Sequence, residues 1–302
     1  MMLPKTVDIL REVLMFIINS DRSEHVEYNG DDYPLKTSHA KLSEYPGFAA
    51  PPHWHDDLEF IAVTAGLMRY TINDETVDLR RGDGVIVNSR QLHFGHSVNL
   101  RECEFACVLI HPRMLRIDAT FDNEFVRPVL QAPNLPYIEL RADVDWQRAL
   151  QQRIVAMADA RDALDIMADA FALWRDLVAH VSPAEPDDTS GADLAAMKRM
   201  MRFVHRHYAE PVRLADIARA GAVGTSKCCV LFARYVQCPP NEFLIRTRLE
   251  ATLDELTGSE RTVAAIAHDA GFRGASYFTQ VFRAHYGCTP TEYRRRGAVR
   301  AA

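Results

Sequence analysis

The chain of 302 residues has few of the features that would place it in a membrane or an oxidising compartment. No run approaches the roughly 20 apolar residues of a membrane span. The Leu10 to Ile18 segment is short, carries Arg11 and Glu12, and lacks a small-residue cleavage site. The six cysteines, at 103, 107, 228, 229, 238 and 288, show no C-x-x-C spacing, and vicinal Cys228 and Cys229 are poor disulfide partners. Reduced thiols in a packed interior and a cytoplasmic protein without membrane contact are therefore expected.

Evenly spread charge is lacking as well. The net charge of −6 divides into −13 over residues 1–192 and +7 over residues 193–302. The basic end suits nucleic acid and the acidic end does not. That basic end also repeats itself. Leu214 to Gly221 resembles Val263 to Gly271, with one extra residue before the second glycine. From there the copies run at an offset of fifty: Phe232 with Phe282, Tyr235 with His285, Cys238 with Cys288, Pro240 with Pro290 and Phe243 with Tyr293. Such a duplicated short helix followed by a second helix predicts two helix-turn-helix motifs able to occupy two adjacent major-groove segments of double-stranded DNA.

The N-terminal half is strand-like, with short β-rich runs cut by turn residues. Leu58 to Val63 precedes Gly66, Met68 to Ile72 precedes Asn73, Val77 to Leu79 precedes Gly82, and Val85 to Val87 precedes Asn88. Glu104 to Ile110 adds another strand. Together they predict a sandwich or barrel. Val144 to Ala160 and Leu164 to Val181 then switch to helical periodicity. Ser182 to Gly191 holds two prolines, a glycine and three acids, and predicts a linker. Asp193 is placed to cap the next helix, whose Met197, Met200, Met201 and Val204 share a face. The organisation expected is an all-β sensing barrel over 1–140, a helical dimerisation and coupling segment with linker over 141–192, and an all-α DNA-binding domain over 193–302.

The second copy, with Ala270, Gly271, Phe272, Ser276, Phe278, Val281, Phe282, Gly287, Pro290 and Tyr293, resembles the C-terminal domain of AraC-type transcriptional regulators. The resemblance covers about the last hundred residues. It implies that Ser226, Cys229 and Val230 face outward on the first reading helix and Ala275, Ser276 and Gln280 on the second, with Lys227, Thr279 and Arg283 beside them. Gln280 suits a bidentate contact to adenine, and Ala275 or Val230 a thymine methyl. Lys227, Arg234, Arg246, Arg248, Arg273 and Arg283 are candidates for phosphate contacts or for solvated surface. Cys229 and Val230 stand where longer polar side chains are common in the family.

Gly47, His53, His55, Glu59 and Gly66 form a second constellation, followed by Gly82, Asp83 and His93. Alternation along a strand sends His53, His55 and Glu59 to one face. Three imidazoles and a carboxylate facing an interior suit divalent iron, manganese, nickel or zinc. The spacing resembles the two motifs of cupins, the second departing with Asn88 for proline, Arg90 for glycine and Ser97 for asparagine. The resemblance implies two readings of the same four side chains: metal ligands, or a metal-free effector pocket needing no cofactor. Either Arg69 or Tyr70, on opposite faces of the next strand, lines the pocket. His25, His39, His96 and His111 fit no ligand spacing. Trp54 should point away from the histidines, and Cys103 and Cys107 should share a buried stripe with Phe105.

A small-molecule pocket joined to a paired DNA reader implies an effector-responsive transcription regulator, acting as a homodimer and meeting RNA polymerase at promoters. The helices from Val144 to Val181 would couple the two parts. A sugar, a hydroxylated aromatic or an organic acid all suit the pocket as effector. The rival reading is a metal-dependent cupin enzyme of oxygenase or isomerase type fused to a DNA-binding domain. Against it, no separate general base or nucleophile is marked.

Overall fold

The computed structural model describes residues 17–18, 22–30, 33–185 and 191–301. Most of Leu10 to Ile18 and positions 186–190 of the expected linker lie outside the described residues. The chain divides into two compact units, Met1–Ala192 and Asp193–Ala302.

Among the described residues, the first unit holds nine strands: β1 Ile17–Ile18, β2 Glu24–His25, β3 Leu35–Lys41, β4 Leu58–Ile72, β5 Glu75–Arg80, β6 Gly84–Val87, β7 His93–His96, β8 Cys103–Ile110 and β9 Tyr137–Leu140. All their pairings are antiparallel. The two runs expected on either side of Gly66 are one 15-residue strand, β4. A bulge between Val63 and Ala65, followed by Gly66 at φ +81°, lets the strand bend instead of ending. A side chain at 66 would run into the Glu102 carbonyl, so glycine is required twice over. The first half of β4 lies between β8 and β6, in the order β3, β8, β4, β6, β9. Its second half pairs with β5 and β7. One bent strand thus belongs to two sheets and makes the unit barrel-like.

Period-two alternation sorts the strands into an inner and an outer core. Ile61, Val63, Met68, Tyr70, Val85, Val87, Cys103 and Phe105 form the inner one, with Cys107 packed against it. Phe60, Ala62, Ile86, Ala106, Val108 and Ile110 face outward, under helices. Those helices are α1 Pro112–Leu115, α2 Ala119–Phe121, α3 Arg127–Gln131, α4 Asp145–Asp159 and α5 Ala163–Val178. The apolar stripes of α4 and α5, through Leu150, Ile154, Met157, Ala170, Leu173, Trp174 and Leu177, complete the outer core. Arg153 ties the two together through Asp169 and Asp176.

The second unit is all helical: α6 Ala192–His207, α7 Leu214–Ala220, α8 Thr225–Val236, α9 Pro240–Glu250, α10 Leu253–Gly258, α11 Val263–Asp269, α12 Ala275–Tyr286 and α13 Pro290–Ala301. Met197, Met200, Met201 and Val204 are all buried, as their spacing predicts. Asp193 is not a cap. It lies inside the first turn of α6, and its carboxylate meets Lys227 at 2.7 Å and Arg234 at 3.9 Å on α8. The reading helices end at left-handed Gln237 and Gly287, before the prolines. Pro240 and Pro290 open the next helices, where a missing N–H costs nothing.

Candidate functional site

Four side chains meet inside the sheet unit. One ligating atom each from His53, His55, Glu59 and His93 lies within 4.8 Å of the others, and all four residues are buried. They reach this point by different routes. Glu59 sits on β4 and His93 opens β7. His53 and His55 are not on a regular strand as alternation had suggested. They lie on an extended lead-in to β4, held by the pair of backbone hydrogen bonds between His53 and His93, 3.1 and 2.9 Å.

Each ring is oriented through its Nδ1. His53 Nδ1 lies 2.9 Å from the Pro51 carbonyl, His55 Nδ1 3.1 Å from that of Asp57, and His93 Nδ1 2.9 Å from that of Gln91. A carbonyl only accepts, so each Nδ1 carries the proton and each Nε2 presents a lone pair when the ring is neutral. The Nε2 atoms point to the common centre. His55 Nε2 and His93 Nε2 lie 3.5 and 2.6 Å from Glu59 Oε2. These contacts are close in distance without hydrogen-bond alignment, so all three atoms are buried and lack a hydrogen-bond partner. His53 Nε2 lies 3.5 Å from Glu24 Oε2.

The charges follow from that crowding. Burial pushes the Glu59 carboxyl up, but His93 and His55 outweigh it and hold it well below the usual carboxylate range. Burial pulls His55 down, and the carboxylates of Glu59, Glu24 and Asp57 outweigh it, leaving the imidazole above its ordinary value. His53, facing two other rings, is held well below by burial and by His93 and His55.

Between the two candidates on the next stretch of strand, the structure selects Tyr70. Its hydroxyl donates to Glu59 Oε1 at 3.0 Å, while Arg69 pairs with Asp78 outside. Cys107 faces the same carboxylate oxygen at 3.7 Å. Two neighbours escaped sequence reasoning. Glu24 arrives because the chain at 22–24 hydrogen-bonds to Trp54 through the Glu24 N–H, 2.8 Å, and the Arg22 carbonyl, 2.9 Å. Its carboxyl is pushed by burial up to about 7. Lys36 lines the cavity beside the cluster. Neither has a spacing relation to the histidines that a sequence would display.

The cupin-motif departures have structural uses. Asn88 donates its amide to the Val129 and Leu135 carbonyls, 2.8 and 2.9 Å, fastening the segment around α3 to the sheet. Arg90 adopts φ +65°, the conformation that favours the motif's usual glycine.

In the helical unit, α7 with α8 and α11 with α12 form the two helix-turn-helix motifs. Ser226, Lys227, Cys229 and Val230 on α8 are exposed, as are Ala275, Ser276, Gln280 and Arg283 on α12. Thr279 is half-buried and donates to the Ala275 carbonyl at 2.8 Å. The opposite faces are core: Leu231, Phe232 and Val236 on α8, Phe278 and Phe282 on α12. Among the candidate phosphate contacts, Arg248 is otherwise occupied. Its guanidinium donates to the carbonyls of Tyr208 and Glu210, 2.7 and 2.9 Å, and closes the end of α6.

Two family profiles match this chain. One, described as the AraC-like ligand binding domain, covers residues 40–174, and the other, a helix-turn-helix domain, covers residues 217–296. The chain belongs to the AraC-type transcriptional regulators.

This AraC-type regulator is 26% identical over 286 residues to the uncharacterized HTH-type transcriptional regulator YdeC of Bacillus subtilis (strain 168), spanning 93% of this chain and 98% of YdeC. It is 22% identical over 262 residues to the melibiose operon regulatory protein of Escherichia coli (strain K12), spanning 83% and 85%. Among solved structures, wild-type ToxT of Vibrio cholerae strain SCE256 aligns over 89% of this chain and 97% of ToxT, at 15% identity and a TM-score of 0.41. By the two profile matches, the regulator joins a DNA-binding unit to a ligand-binding unit. Among the described residues, no helix is long and apolar enough to cross a membrane.

Proposed function

We propose that this AraC-type regulator senses a small molecule at the His53, His55, Glu59 and His93 cluster, where these four side chains hold a divalent cation that forms the floor of the effector pocket. The observation that carries the reading is the set of buried atoms without hydrogen-bond partners, His55 Nε2, His93 Nε2 and Glu59 Oε2, facing one point while every Nδ1 is tied to a backbone carbonyl. Lone pairs and a carboxylate converging in a buried, low-dielectric interior repel one another unless a positive charge sits between them. Three nitrogens and one oxygen suit zinc, nickel, iron or manganese, and the Nδ1 anchors supply the outer-shell orientation that such ligands use. When bound, the cation would supply a Lewis-acidic position for an oxygen of the effector. Joined to a duplicated DNA reader, and with relatives that are transcription regulators, the cluster is read as a sensor and not as an enzyme's active site.

A second reading has its own support. The raised His55 and depressed Glu59 describe a buried imidazolium–carboxylate pair, in which a proton takes the cation's place. Elemental analysis of the protein purified without chelator separates the two. About one equivalent of a transition metal in the wild type and less than a tenth in His93→Ala is the expected result. Metal-free wild-type protein with a protonated His55 by NMR would replace the cation with the ion pair.

The DNA side of the proposal assigns base contacts to Ser226, Cys229, Val230, Ala275, Ser276 and Gln280, with Lys227, Thr279 and Arg283 at the flanks. Two blocks about one helical turn apart suit the paired motifs. A homodimer and contact with RNA polymerase complete the proposal. Exposed apolar side chains available for pairing include Ile117, Phe125 and Leu164. The apolar stripes of the coupling helices α4 and α5, Leu177 among them, are buried in the outer core of their own unit.

A further inference from the structure

The cavity beside the histidine cluster has a second polar end. It occupies about 80 Å³ and extends from His53 and Glu59 to Lys36 and Ser38 on β3. Alternation turns Lys36, Ser38 and Ala40 inward together, across from Leu109, Cys107 and Phe105 on β8. A cavity of about 150 Å³ accommodates benzene, so this one, about half that size, suits a molecule of roughly three to five heavy atoms and is too small for a sugar ring or any aromatic.

A half-buried ammonium inside a β unit is costly without a counter-charge. Among the described residues, Lys36 has no ion pair and its ammonium makes no hydrogen bond, and the Ser38 hydroxyl likewise has no partner. Glu24 and Cys107 both lie within electrostatic reach of Lys36. Glu24 leans on His53 and the Cys107 thiol on Glu59, so neither is an ion-pair partner for the ammonium. A cation and a hydroxyl donor therefore wait at one end of a small cavity whose sides are the apolar Leu42, Phe105 and Leu109 and whose remaining polar lining is Glu24, Tyr45 and Tyr70, beside His53 and Glu59.

We propose that the effector is a small organic anion, a carboxylic acid of one or two carbons, whose carboxylate is taken by the Lys36 ammonium and the Ser38 hydroxyl while its other end faces the His53 and Glu59 side of the cavity. This rests on the effector-pocket reading above and narrows it to one class of ligand. A lysine is a point charge that accepts a carboxylate in several orientations, so discrimination among acids falls to the cavity's length and apolar walls.

Calorimetric titration of the full-length protein tests this, with formate, acetate, glycolate and glyoxylate as probes beside acetamide and glycolamide. At least one acid is expected to bind below millimolar Kd, with its uncharged amide at least tenfold weaker. Lys36→Met should weaken the acid at least tenfold and Ser38→Ala several-fold, while Lys36→Arg retains most of the affinity. Metal content and thermal midpoint should stay at wild-type values in all three, which distinguishes loss of the anion contact from misfolding. Equal binding of acids and amides, undiminished binding to Lys36→Met, or no heat from any of the four acids would overturn the proposal. Failure of the cation reading shows separately, as acid binding that needs Lys36 but is unchanged after chelation.

Discussion

Each histidine of the cluster commits one ring nitrogen to the backbone beside it and leaves the other for the centre. Rotation of any ring would leave a carbonyl unpaired, so the Nε2 positions are set before any ligand arrives. Glu24 is the residue whose environment is hardest to infer from its type. Its carboxyl lies at about 7 against an ordinary 4.5, because burial disfavours the charged form. The sign of the linkage is then the reverse of an ion-paired acid. Between 4.5 and about 7 the folded state holds a proton that the unfolded state has released, so stability falls as pH rises through that window. In chelator-treated protein, Glu24→Gln is expected to flatten this slope and to gain up to about 3 kcal/mol above pH 7 relative to its effect below pH 4.5. Urea midpoints measured across that range check it, and parallel pH profiles for wild type and variant would refute it.

Among the elements, the two helix-turn-helix copies differ in a way that letter-matching conceals. The sequence aligns Gly221 with Gly271 and puts the extra residue before the second glycine. In the structure α7 and α11 have equal length, and Gly221 takes the place of Ala270 directly after the helix. The left-handed residue that turns the chain is Ala222 in one copy, at φ +57°, and Gly271 in the other, at φ +84°. The extra residue therefore lies in the turn, where Phe272 is buried against Phe278, their ring centroids 5.0 Å apart. Gly221 is kept for a different reason: a Cβ there would come 2.7 Å from Met200. Because alanine is strained in the left-handed region and Ala222 is exposed, Ala222→Gly should stabilise the unit by about 0.5–1 kcal/mol. Thermal denaturation checks this, and a loss of stability would mean that the turn draws on the alanine's methyl group.

At the scale of the whole molecule, charge and architecture divide together. The basic 193–302 unit carries both reading helices and the acidic unit carries the cavity. Sequence-selective binding is expected to depend on Gln280 and general affinity on Arg283. Gln280→Ala should cost about 1–3 kcal/mol on the preferred site and relax the preference at one base pair. Arg283→Ala should weaken all sequences alike and lower the salt dependence by about one unit of slope. Titrations of selected and scrambled DNA at three salt concentrations read both, and identical losses on the two DNAs for Gln280→Ala would remove it from base readout.

What the sequence determined by itself is whatever local pattern encodes. Repeat spacing predicts the paired motifs and period-two alternation predicts the sheets, because each is written in consecutive residues obeying one geometry; the cluster is named through its resemblance to two separate motifs, and the meeting of His93 with His53, His55 and Glu59 is tertiary. Tertiary structure decided the rest. Only the bulge and the left-handed Gly66 reveal that two apparent strands are one, since both depend on how Glu102 and Cys103 press on the backbone. The choice of Tyr70 over Arg69, and the arrival of Glu24 and Lys36 at the cavity, likewise depend on strand register and chain crossing. Contacts between residues far apart in the chain leave no periodic trace in it.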